Sequence, residues 1–357
     1  TSNNIGVDVG LFSDRITFAV ELYTKVTDDM LQKKIKVPSS TGLSTVAWYN
    51  SGKMENRGWE FNIDVAAVRT KDWGFNFGFN ISQNKNKVLE LPENQSDETY
   101  TFGNKKYAYR VLMGDPLGSF YGYRYKGVYQ NVEETYAVDK TGQQIMDING
   151  APVVVKNGDQ KVYPGDAKYE DVNVDGVIDE NDIVYLGNSN PTLTGGLNFT
   201  LRYKKLSLVA ALHGRAGQKV INESRINMEN MYGKNNQSVA VLRRWRSEGD
   251  NTDIPRALYD KGYNYLGSDR FVEDASFLRL KTITLKYQFP ENWMKPLGIN
   301  KLEIYATGYD LFVWTKYTGQ DPEINLKNPD GSAAQVAIDS NNTPKAMRFA
   351  FGLNLRF

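Results

Sequence analysis

Residues 73 to 82 read WGFNFGFNIS, with Trp73, Phe75, Phe77, Phe79 and Ile81 on one alternation and Gly74, Asn76, Gly78, Asn80 and Ser82 on the other. A strict period of two is the signature of a β-strand, whose successive side chains point to opposite faces. Here one face is aromatic and the other is small or polar. The same pattern recurs at Ile16, Phe18, Val20 and Leu22, at Trp59, Phe61, Ile63 and Val65, and at Leu197, Phe199, Leu201 and Tyr203. It recurs again at Leu206, Leu208, Ala210 and Leu212, through 275 to 288, from Leu302 and Ile304, and at Met347, Phe349, Phe351, Leu353, Leu355 and Phe357. Strands of a soluble sandwich span about five or six residues. A tilted strand that crosses a bilayer needs about nine to eleven, with apolar side chains toward lipid and polar ones toward a lumen. The runs have the longer size, and their Gly, Asn and Thr faces would make a poor dry core. An all-β fold, a transmembrane antiparallel β-barrel, is therefore expected.

The connections alternate in length. Short turns fall at about 12 to 14, 69 to 72, 204 to 205 and 289 to 300, and long ones at 27 to 55, 86 to 193, 215 to 270 and 315 to 345. Barrels of the outer membrane keep short turns on the periplasmic side and long loops outside. The whole of 1–357 then reads as one unit of nine spanning strands, the first at about 4 to 11, with 86–193 and 215–270 as long extracellular loops. A phase slip between Leu280 and Ile283 suits a β-bulge. A complete bacterial single-chain barrel has an even strand number, and an open strand edge in lipid lacks hydrogen-bond partners. The chain is thus expected to be the C-terminal part of a larger barrel, with no plug domain of its own. The sequence has no cysteine, which excludes disulfides and thiolate metal sites, and a net charge of +1, which gives no basis for a nucleic-acid partner.

Within the second long connection lies DVNVDGVIDEND, residues 171 to 182. Asp171, Asn173, Asp175 and Asp179 with the carbonyl of Val177 sit at the spacing of an EF-hand calcium loop, Gly176 permits its sharp turn, and Asp182 stands at position twelve where sensor loops carry Glu. Calcium as a structural clip is the expectation, since no flanking helix pair is evident. Asn, Asp and Gly are also ordinary turn residues. Tyr121, Tyr123, Tyr125 and Tyr129 form an alternating stripe whose rings suit stacking on a substrate or partner and equally suit packing of loop on loop. Residues 239 to 256 suggest a short helix ending near Gly249, with Val239, Leu242 and Trp245 as an apolar face that could meet a partner. The lone His213 forms no metal cluster, and no nucleophile–base pair or phosphate loop is present, so the chain is not expected to be an enzyme.

Five stretches together resemble the SusC/RagA-like TonB-dependent transporters of the bacterial outer membrane: GDPLGSFYGYRYKGVYQN (114 to 131), PGDAKYEDVNVDGVIDENDIVYLGNSNPTLTGGLN (164 to 198), FVEDASFLRLKTITLKYQFP (271 to 290), YTGQDPEI (317 to 324) and the terminal MRFAFGLNLRF. The resemblance implies a plugged barrel of about 22 strands, energised by TonB. It also implies a SusD-like surface lipoprotein acting as a lid, import of oligosaccharides or peptides, and an assembly of two transporter–lipoprotein pairs. A terminal apolar strand ending in Phe357 resembles the signal read by the outer-membrane assembly machinery, and Phe357 also suits the interfacial aromatic girdle. The competing expectation is a passive porin or structural barrel.

Overall fold

The computed structural model describes residues 1–36, 39–42, 45–50, 52–91, 107–108, 111–327 and 335–357. Nine long strands make one antiparallel sheet in chain order: β1 (Ser2–Leu11), β2 (Ile16–Thr27), β3 (Lys53–Arg69), β4 (Trp73–Glu90), β5 (Leu193–Tyr203), β6 (Leu206–Ala216), β7 (Phe277–Gln288), β8 (Lys301–Thr315) and β9 (Arg348–Arg356). Each strand pairs with the next, and β1 and β9 are the edges of the sheet. The number and order match the expectation from the alternating runs. Among the described residues no helix is long and apolar enough to cross a membrane.

Register keeps the two faces distinct across the whole sheet. One row, read from strand to strand, is Val9, Phe18, Ile63, Phe79, Leu197, Leu212, Leu280 and Phe312. The adjoining row on the other face is Gly10, Thr17, Asp64, Gly78, Asn198, Ala211, Thr282 and Tyr309. A slip of one residue anywhere would carry a carboxylate or amide into the apolar face, so the pattern itself specifies the pairing. Between Leu280 and Thr282 the β6–β7 and β7–β8 registers shift by one. This is the bulge that the phase slip predicts: Lys281 is the extra residue against β6, while against β8 the extra residue lies on β8, where Asp310 has a positive φ.

Aromatic side chains mark both ends of the apolar face. Trp73 and Tyr203 meet with their rings tilted at 4.4 Å beside the short turns, and Phe312 and Trp314 stack at 6.1 Å near the long connections. From Leu302 to Phe312 the path of β8 is about 34 Å, or about 26 Å along the membrane normal at the usual tilt, which matches the apolar band of an outer-membrane barrel. The terminal strand turns Phe349, Phe351, Leu353 and, beyond its end, Phe357 outward, with Phe357 79% exposed.

The strands flanking the first long connections run longer than the alternation suggests. β3 has 17 residues and β4 has 18, so the connection after β4 begins at 91 rather than 86. The polar upper part of β4 is tied to that connection, for Val88 donates its N–H to the carbonyl of Asp115 and accepts from Gly114.

The apolar core lies in the long connections, not beneath the sheet. One cluster joins Tyr107 and Phe120 to Ile221, Ile226 and Phe271 and to Val336 and Ile338, so three connections distant in sequence share it. A second gathers Tyr123, Tyr129, Val155, Val162, Tyr169, Ile178 and Leu266. Phe120 and Phe271 are almost wholly enclosed. Truncating either to alanine would cost about 3–5 kcal/mol of local stability, the usual cost of a large core deletion.

Candidate functional site in the long connections

The tyrosine stripe is part of this core. Tyr121, Tyr123 and Tyr129 are buried, and Tyr125 is half-buried. Tyr121 donates its hydroxyl to Asp115, Tyr125 donates to the carbonyl of Asp253, and the ring of Tyr123 lies 5.5 Å from that of Tyr169. Of the two roles weighed for the stripe, packing of loop on loop is the one that these contacts describe. Alternation put them on a strand, but residues distant in sequence, among them Tyr169, Ile178 and Leu266, pack with Tyr123 and Tyr129 in one cluster. Burial raises the Tyr123 hydroxyl above the ordinary phenol range, and the carboxylates of Asp182, Asp179 and Glu180 add to it.

The stretch after 238 is a short 3-10 turn, Val239–Arg243, which ends before Trp245. Val239 and Leu242 are exposed, so no apolar helix face forms with Trp245. Trp245 instead covers the turn Pro164-Gly165-Asp166. Gly165 has φ +86°, and a Cβ there would lie 2.6 Å from Cδ2 of the indole and against Cε3. Asp166 closes the arrangement: it is buried, takes two hydrogen bonds from Arg256 at 2.7 and 3.1 Å, and accepts from the Tyr163 N–H. Such two-pronged charge-assisted bonding fixes geometry as well as adding energy. This clamp was not singled out in the sequence, although P-G-D is a recognisable turn signal.

The 171–182 loop curls as its turn chemistry demands. Asp171 accepts from the N–H groups of Val174, Asp175 and Gly176, and both Val174 and Gly176 have positive φ. Asp175 accepts from the N–H of Val177 and from the amide of Asn173, and Asp179 accepts from the N–H of Asn181. The carbonyls of Gly176 and Ile178 accept from Lys156 and Gly158, so the carbonyl of Val177 between them faces the other side of the strand. Ile178 anchors the loop in the second core cluster. Asp182 departs from the expectation of a metal ligand. It is fully enclosed, and its two oxygens accept from Val172 at 2.7 Å and Asp179 at 2.9 Å, stapling the two ends of the loop. Burial pushes its carboxyl up, and those N–H groups partly offset the effect. Among the described residues no group of three or more His, Cys, Asp or Glu side chains is arranged to hold a metal ion.

A charge cluster fastens the last connection to the wall. Arg279 of β7 meets Asp321 at 2.5 Å and Glu323 at 3.4 Å, and the bulged Lys281 reaches Glu323 at 3.0 Å. Lys345 bonds Glu323 as well. Burial opposes the charge on Glu323, but its bonds to Lys345 and Lys281 outweigh that and hold the carboxyl down at about 2. The YTGQDPEI stretch is thereby fixed over the β7–β8 end of the sheet.

No family model matches the chain. In sequence it is 30% identical over 362 residues to the TonB-dependent receptor P3 of Formosa agariphila and 31% identical over 366 residues to receptor P26 of the same organism. It is 28% identical to the TonB-dependent receptor SusC of Bacteroides thetaiotaomicron. These matches take in 99–100% of the chain and 34%, 34% and 32% of the respective relatives, so the chain spans about a third of their length. In fold it matches a solved RagAB peptide transporter with a TM-score of 0.73 at 23% identity, covering 99% of this chain and 35% of that one. The RagAB peptide importer in its open-open state gives 0.74 at 22% identity, covering 100% of this chain and 34% of that one. With long alternating strands, core-bearing connections and a match along its whole length to about a third of each of these receptors, the chain is similar to the SusC/RagA-like TonB-dependent receptors and has the fold of a wall section of an outer-membrane β-barrel.

Proposed function

We propose that this chain forms wall and outer platform of an importer that takes up oligosaccharides or peptides through the outer membrane, driven by TonB and covered by a SusD-like lipoprotein. The observation that carries the reading is the core cluster shared by three of the four long connections, which makes a fixed platform at the outer mouth rather than separate loose loops. The relatives' names supply the energised class, and no catalytic role is proposed. Uptake of candidate glycans and peptides would be followed in cells with and without TonB, and the lipoprotein sought by co-purification. Uptake that persists undiminished without TonB would replace this reading by a passive porin.

Within it, the 171–182 loop is proposed as a weak calcium clip, using Asp171, Asn173, Asp175, Asp179 and the Val177 carbonyl while Asp182 keeps its backbone staples. Support comes from the path of the loop and from the side to which the Val177 carbonyl is turned. Affinity in the range of about 10⁻⁴–10⁻³ M suits an extracellular module that lacks the position-twelve chelate. Calorimetry should show calcium heat that Asp175→Asn removes; no heat from the unaltered protein would discard the clip.

A further inference from the structure

Beside that loop lies a cavity of about 180 Å³, open to solvent, that the import reading does not use. Buried Ile178, Leu266 and Tyr123 line it, and Tyr263 lines it as well. Asn157 lines it from a short strand, Lys156–Asn157, and is 5% exposed, with an amide oxygen that has no hydrogen-bond partner. Glu180 stands exposed at the rim next to Asp179. Lys156 precedes Asn157 on the strand and therefore projects to the opposite face, away from the rim carboxylates.

These features specify a ligand. The volume is well below the 300 Å³ or more of a pocket for a drug-sized molecule, and fits one extended side chain. The apolar lining suits a chain of methylenes, and the Tyr263 ring in it suits a cation held near its face. A buried amide oxygen without a donor calls for an N–H, since an unmade bond there carries a desolvation cost. The rim carboxylates exclude an anionic group and favour a compact positive one. An arginine fork needs a planar, two-pronged acceptor, whereas an ammonium is a point charge with rotatable donors.

We propose that this cavity receives the side chain of a lysine carried by a polypeptide that reaches the outer face. The lysine's methylenes lie on Ile178 and Leu266, and its ammonium sits between Tyr263, Asn157 and Glu180. This does not rest on the import reading, because binding can be measured without transport.

The test uses the protein purified in detergent micelles, with chelator present. Nα-acetyl-lysine N-methylamide is compared with its norleucine counterpart by saturation-transfer NMR and calorimetry. The lysine probe should bind about tenfold more tightly, the scale of a cation–π contact plus one solvent-facing carboxylate. Glu180→Gln, an exposed change, should reduce lysine binding severalfold and leave norleucine binding as it was. Equal binding of the two probes, or none by either, overturns the proposal. So does displacement of the lysine probe by calcium with an affinity that Glu180→Gln alone abolishes, which would make the cavity a metal site.

Discussion

Gly165→Ala should loosen the outer platform through two separable costs. At φ +86° an alanine pays about 1–2 kcal/mol for the left-handed backbone. Its Cβ would also lie 2.6 Å from Cδ2 and 2.7 Å from Cζ3 of Trp245, so the indole must move. Overpacking of that kind costs about a further 1–3 kcal/mol. Trp245 is held in place by shape, for its ring N–H is buried and makes no hydrogen bond. Hydrogen exchange reads the result at three amides: Gly165, which donates to Tyr129; Arg256, which donates to Gly165; and Trp245, which donates to Ile254. At about 1.4 kcal/mol per tenfold, a total of about 2–5 kcal/mol corresponds to exchange about thirty- to several-thousand-fold faster, unless the opening of the loop already sets a lower ceiling. In a Trp245→Ala background the clash is gone, and the same glycine substitution should cost only the backbone part. If Gly165→Ala is equally costly in both backgrounds, the indole does not govern this turn and the reasoning fails.

Three other expectations follow from the same geometry. The Glu323 carboxyl, held at about 2 against about 4.3 in an unfolded chain, contributes stability that is complete above the unfolded value and is lost as the pH falls toward 2. Protection of the Asp339 amide, which donates to Ile221, should decline over that window in the unaltered protein but not in Glu323→Gln; identical pH profiles would refute the link. Asp182→Ala leaves the Val172 and Asp179 N–H groups without partners and should destabilise the loop by about 1–3 kcal/mol for each that stays dry. A loop whose amide exchange is unaltered in that variant would show that water replaces the staple. Removal of Phe357, exposed beyond the last strand, should lower membrane insertion of the receptor; unchanged insertion would leave it only a girdle residue.

The sheet could be read from the sequence because lipid on one side and a polar lumen on the other impose a period of two on every strand. Even the bulge at Lys281 showed as a lost phase. The connections carry no such imposed period. Tyr107 bonds the carbonyl of Ser268 across 161 positions, and Arg279 meets Asp321 across 42, pairings that no local pattern announces. Alternation at Tyr121 to Tyr129 reported extended backbone correctly, but whether a tyrosine faces solvent depends on segments folded over it from elsewhere. The turn of 171 to 182 was legible because Asp, Asn and Gly act on their own neighbours. The direction of Asp182 was not, since its two backbone amides compete with any ion for the same short side chain.

The placement of the core bears on how the outer mouth can open. Phe120, Ile221, Phe271 and Ile338 come from three connections but pack as one cluster. Swinging any one connection away would expose several large side chains at about 1.5–3 kcal/mol each. Independent gating by a single loop is therefore costly, and the three connections should move as one body with the strands that carry them. The Arg279–Asp321 pair adds to this by tying the last connection to β7. Control of access by a separate body, the place that the proposed lid lipoprotein would fill, fits the shared cluster of the described residues better than a hinge within one connection.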